Sequence, residues 1–184
     1  MCGARAFLTI VPVTFVVAVP TTLAADSGLP DAAAAAACTR PAARSAVRHS
    51  SFGAAIRKKL PGNVKYGAGP LLGHSIWKLR CADLTGDGRD EMVVALACCT
   101  VSTPTPWAIF RRGRGKWHTA FKRVSRKTTL ADLRIDAARD VVEKLPVYEP
   151  GDALCCPSGY SYRVTHWSGS RFVAAPQPAS ASAR

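Results

Sequence analysis

Six of the seven cysteines, Cys38, Cys81, Cys98, Cys99, Cys155 and Cys156, lie beyond residue 25, and this even set limits what the chain can fold into more than any other feature. The segment before them accounts for the odd one. Arg5 supplies a positive charge, an apolar run covers residues 7–19, and the small residues Ala24 and Ala25 follow, which is the order of regions in an export signal. Pro12 and Pro20 interrupt the run, and a permanent span needs roughly 20 predominantly apolar residues, so residues 1–25 are expected to be a removable signal peptide. Removal takes Cys2 away. A lipid anchor needs a cysteine directly after the apolar run, whereas Cys2 precedes it and Cys38 stands beyond Asp26 and Asp31. The expectation is a secreted, extracellular protein with no permanent membrane span.

Exported thiols oxidise, and an even count reads as a disulfide framework. Six cysteines allow fifteen pairings, and adjacent cysteines rarely bridge each other because their side chains diverge. The expected arrangement joins the Cys98/Cys99 pair to the Cys155/Cys156 pair and leaves Cys38 to bridge Cys81. Zinc, the other use of clustered thiols, calls for C-x-x-C knuckles that this sequence lacks.

Taking 25 residues from 184 leaves 159, enough for one ordinary domain. Without Arg5, 24 basic residues face 12 acidic ones, a net charge of +12 that draws anionic partners. Coding bias toward arginine and alanine gives the same composition, so charge alone assigns no ligand. Residues 26–40 read as an Ala-rich linker, 41–175 as a single disulfide-linked, β-rich domain, and 176–184, rich in Ala and Ser, as a disordered tail. Within 41–60, Ala43, Val47, Phe52, Ile56 and Leu60 recur at helical spacing before Pro61 and Gly62 stop the run. Gly53 weakens that helix, and Ser51 is the place for a break.

Beyond His74, apolar runs of strand length at 75–84, 91–99, 106–112, 116–124, 140–148, 160–167 and 171–175 alternate with turn residues. Arg112 to Gly115 and Ser168 to Ser170 look like hairpin tips. The fold class that follows is mostly β (α+β): a twisted antiparallel β-meander with an N-terminal helix packed on one face, stapled by disulfides and monomeric.

One segment carries chemistry. Asp83, Thr85, Asp87 and Glu91 place oxygen-bearing side chains at alternate or near-alternate positions around Gly86 and Gly88, just ahead of an apolar strand. Calcium takes six to eight hard oxygen ligands at about 2.3–2.6 Å, and such spacing lets several converge. An Asx-type turn that caps its own backbone without metal uses the same residues. An EF-hand is excluded by Val94 at the twelfth position.

Asp-x-Thr-Gly-Asp-Gly-x-x-Glu before an apolar strand resembles the calcium loop of FG-GAP and VCBS-type repeats. That resemblance implies Ca2+ held by Asp83, Thr85, Asp87, the backbone carbonyl of Arg89, and Glu91. The motif covers about a dozen residues and occurs once, so a propeller of repeated blades is not implied. The order of helix, Asp-Leu-Thr-Gly-Asp-Gly loop, apolar strand, basic hairpin, Cys-Cys-Pro-Ser-Gly and Tyr-x-Val-x-x-Trp is similar to small bacterial envelope proteins of the LppP/LprE lipoprotein type. No reaction carries over from that family, and its lipid-anchor cysteine is missing here.

Arg111, Arg112, Arg114, Lys116, Lys122 and Arg123 crowd one hairpin, with Phe110, Trp117 and Phe121 between them. Arginines grip phosphates and aromatics stack on bases or sugars, so an anion-binding hairpin is one reading and a solvated strand pair is the other. No Gly-x-Ser-x-Gly elbow is present, and His49, His74, His118 and His166 are scattered. The sequence therefore points to a non-catalytic binding or adhesion module of the bacterial envelope, meeting an anionic cell-surface polymer or another envelope protein. An extracellular hydrolase and a polyanion-binding protein are the alternatives.

Overall fold

The computed structural model describes residues 38–60, 75–97 and 104–175. The expected signal peptide and tail, the linker before Cys38, and Cys98 and Cys99 lie outside the described residues.

The helical run expected over 41–60 is broken just before Ser51, where the sequence places the break, and forms two helices. Helix α1 spans Arg40–Arg48, so the expected linker ends earlier than residue 40; Thr39 caps α1 by accepting from the Ala42 amide at 3.3 Å. Helix α2 spans Ser51–Lys59. Ser50 sits at the joint, where its Oγ accepts from the Gly53 amide at 3.4 Å and donates to the Val47 carbonyl at 3.1 Å. One hydroxyl thus closes the first helix and opens the second. Gly53, which weakens a continuous helix, is what the joint requires: a Cβ there would fall on the Val47 carbonyl oxygen.

The strands form two antiparallel sheets rather than the one meander expected. The first runs in order through β1 (Ser75–Ala82), β2 (Glu91–Ala97), β3 (Trp107–Gly113) and β4 (Lys116–Arg123). The second runs through β5 (Asp132–Ile135), β6 (Val141–Val147), β7 (Gly159–Trp167) and β8 (Phe172–Ala174). Each is a meander by itself, and residues 124–131 carry the chain from one to the other. The β3–β4 tip is a two-residue turn in which Arg114 and Gly115 both take positive φ, at 47° and 76°, the geometry that matches strand twist.

Strand β2 is buried from Glu91 to Leu96, because the first sheet meets apolar residues on both faces. On one face Met92, Val94, Leu96, Ala108 and Phe110 share a cluster with Ala43, Val47, Phe52, Ile56 and Leu60, and the Phe52 ring stands edge-on to Phe110 at 6.1 Å. On the other, Val93, Ala95, Trp107 and Ile109 meet Leu133, Val141, Leu145 and Phe172 of the second sheet. A bulge at Ala120 lets β4 serve both, since Phe110 pairs with Thr119 while Ile109 pairs with Phe121. Trp117 accordingly packs on the first cluster and Phe121 on the second.

Cys38 is bonded to Cys81, as the sequence reading expected, with a Cα–Cα distance of 6.3 Å across 43 positions. The bridge ties the approach to α1 onto β1. A cross-sheet ion pair, Lys78 Nζ to Asp132 Oδ1 at 3.0 Å, links β1 to β5. Among the described residues no helix is long and apolar enough to cross a membrane.

Helix propensity alone makes Gly53→Ala about 1 kcal/mol stabilising. The closure against Val47 reverses that sign: Gly53→Ala should lower stability in urea unfolding, whereas Ala54→Gly, one residue on, should show only the ordinary propensity loss.

Candidate functional site

The 83–91 loop joins β1 to β2 and closes on itself through its carboxylates. Asp83 Oδ1 accepts from the amides of Gly86 at 2.7 Å and Asp87 at 3.1 Å, and Oδ2 accepts from Gly88 at 3.0 Å. Gly86 and Gly88 hold φ of 75° and 80°, which turns these amides toward one side chain. Partial burial works to raise the Asp83 pKa, but the three amides and the nearby Arg139 charge outweigh it and hold the carboxyl below its ordinary range. Arg139, itself at φ 66° in the β5–β6 turn, brings Nη1 to 3.7 Å from Asp83 Oδ2.

Glu91, the first residue of β2, is 2% exposed. Its Oε2 accepts from the amides of Leu84 at 2.8 Å and Thr85 at 3.2 Å, and its Oε1 accepts from Thr85 Oγ1 at 3.3 Å. Burial raises its pKa, with Arg111 and the Leu84 amide opposing. The Glu91 charge is met by Arg111, whose Nε reaches Oε1 at 3.0 Å while its Nη2 reaches Asp87 Oδ2 at 2.8 Å. A longer contact of 3.5 Å runs from Nη2 to Thr85 Oγ1. The central carbon of the guanidinium lies over the Trp167 ring of the second sheet, 4.8 Å from its centroid.

The residues expected to ligate calcium are therefore together, with their lone pairs engaged. Thr85, Asp87 and Glu91 converge on a guanidinium, Asp83 faces backbone amides, and the Arg89 amide donates to Asp87 Oδ1 at 3.0 Å. Among the described residues no group of three or more His, Cys, Asp or Glu side chains is placed to hold a metal ion.

The expected anion-binding set divides. Arg111 and Arg123 turn inward. Arg123 Nε lies 3.0 Å from Glu143 Oε2, an ion pair off the hydrogen-bond line, and Glu143 is fully buried with its Oε1 accepting from Trp107 Nε1 at 2.8 Å. Burial raises the Glu143 pKa; Trp107, Arg123 and Arg163 pull it back. Lys122 donates to the Ser51 carbonyl at 3.3 Å. Arg112, Arg114 and Lys116 remain exposed at the β3–β4 tip with no ion pair among the described residues. Residue alternation, not composition, sorts them: Trp107 and Ile109 face the second sheet, and the same parity carries Arg111 there. Trp167, Arg139 and Glu143, absent from the expected set, complete the arrangement.

Cys155 and Cys156 are exposed in the β6–β7 loop and form no disulfide among the described residues; their expected partners Cys98 and Cys99 lie outside them. Asp152 organises that loop, accepting from the Glu149 amide, the Ser158 amide and the Ser158 hydroxyl at 2.8–2.9 Å.

Two outcomes follow from these pairs. Arg123→Ala should cost about 3–5 kcal/mol in urea unfolding by stranding the buried Glu143, Glu143→Ala should cost less because Arg123 is 24% exposed, and the double variant should cost much less than their sum. Asp83→Asn should cost on the order of 1 kcal/mol at neutral pH. A lowered carboxylate pKa contributes stability above the unfolded value, so that difference should vanish as pH falls through the folded value, below about 4.

No family model, no curated protein and no solved structure matches the chain.

Proposed function

We propose that the chain is an exported, non-catalytic binding module that grips an anionic cell-surface polymer along its β4 edge. The observation that carries this reading is the run of uncompensated cations there. β4 is an outer strand of its sheet and shows Lys116 and Lys122 to water, one on each side of the bulge at Ala120. Arg112 and Arg114 adjoin it at the tip, fixed by the tight turn. At the other end, Arg126 Nε donates to the Lys59 carbonyl at 2.6 Å, which sets the exposed Arg57, Lys58 and Lys59 of α2 beside Arg126 and Lys127.

Such a strip suits a repeating anion better than a small one, because its charges are spread along an edge and not gathered in a cleft. The acids nearest the strip do not neutralise it. Glu91 and Glu143 are buried on inward-facing arginines, Asp87 is paired with Arg111, and Asp83 lies beside Arg139. Export is supported by the apolar N-terminal run and fits the Cys38–Cys81 bridge, which suits an oxidising compartment.

The test is retention on immobilised dextran sulfate across a salt gradient. Protein should elute late, with affinity falling steeply as salt rises, as polyanion contacts require. The triple variant Arg112→Ala, Arg114→Ala, Lys116→Ala should elute at clearly lower salt with an unchanged melting temperature. Equal elution of variant and parent would refute a role for the tip.

A further inference from the structure

We infer that the guanidinium of Arg111 is the resident cation of the 83–91 loop and stands in the place that spacing of this kind reserves for calcium. Two carboxylates, one of them 2% exposed, approach each other at the loop's base, and a pair of like charges in that setting needs a positive partner. Arg111 supplies it from β3. Its flat fork presents Nε to Glu91 and Nη2 to Asp87, a division between two acids that a guanidinium makes readily and an ammonium does not.

The oxygen donors that calcium would draw on are occupied. Both oxygens of Asp83 take backbone amides. Glu91 Oε2 takes two more, and Glu91 Oε1 and Asp87 Oδ2 take the guanidinium. An ion seeking six to eight oxygens would have to expel Arg111 and turn Asp83 away from three amides. The guanidinium also meets the second sheet: its carbon lies 4.8 Å from the centroid of the Trp167 ring, while about a third of the side chain, 34%, stays in water. A free ion is gained and lost with its concentration; a tethered guanidinium stays until the sheets part.

This inference is independent of the polyanion reading, since Arg111 faces inward and takes no part in the exposed tip. Melting the purified protein with excess calcium, and again with chelator, tests it directly. The parent should melt at the same temperature in both. Arg111→Gln, which leaves the carboxylates without their cation, should melt several degrees lower in chelator, less than a fully buried pair would cost because Arg111 is 34% exposed. It should then recover several degrees in millimolar calcium, because the freed oxygens bind the ion only in the folded state. Arg111→Lys, with its charge kept and its fork removed, should fall between parent and Gln variant. A calcium-dependent rise in the parent would overturn the inference even if neither variant folds, and so would a folded Arg111→Gln protein that melts no lower or ignores calcium.

Discussion

Two carboxylates lie between the sheets almost without access to water, and each is held by an arginine from the first sheet: Glu91 by Arg111 and Glu143 by Arg123. The apolar residues around them supply area but little direction. Charge pairs supply direction, because a buried carboxylate displaced from its partner by a single register step is left uncompensated, at a cost of several kcal/mol. Trp107 adds a donor to Glu143 and Trp167 lies over Arg111, so the stacking is fixed at both ends of the inter-sheet layer. The second sheet needs that anchoring. Its outer strands are only four and three residues long, and its far side exposes Tyr160 and Tyr162 with Lys144 seated 3.7 Å above the Tyr160 ring.

Most of the strands could be read from the sequence because each is an apolar run bounded by turn residues. β5 could not. Asp132–Ile135 is too short to establish alternation, and of its residues only Leu133 is fully inside the core. The division into two sheets was hidden for a different reason: the same local pattern serves one long meander or two short ones, and the choice is made by contacts such as Arg123 with Glu143 and Lys78 with Asp132. The broken helix was half legible. Gly53 stood out as a poor helix former, but its purpose, close passage of α2 by the Val47 carbonyl, exists only once the chain has turned.

The 83–91 loop was legible as a unit, since glycines and oxygen-bearing side chains at this spacing make a closed turn with or without an ion. Its partner was not, because Arg111 lies twenty positions beyond Glu91 and is adjacent only through the pairing of β2 with β3. The signal that could have found it was strand parity. Counting from the core residues Trp107 and Ile109 sends Arg111 to the inner face, and counting from Phe121 sends Arg123 there too. A hairpin with six basic residues thus contains two kinds, alternating along the strand, and composition cannot tell them apart.

That sorting bears on the charge of the whole molecule. Pairing Glu91 and Asp87 with Arg111, and Glu143 with Arg123, withdraws acids and bases together, so the excess of +13 is not diluted. It is concentrated in the side chains that remain outside. Because Glu91 and Glu143 are buried against inward-facing arginines, those two acids do not offset the exposed cations of the β4 edge. The interactions that hold the sheets together therefore also leave the β4 edge electrostatically bare, and a change that freed Arg111 or Glu91 to the solvent would alter the stability of the fold and the field at that edge at once.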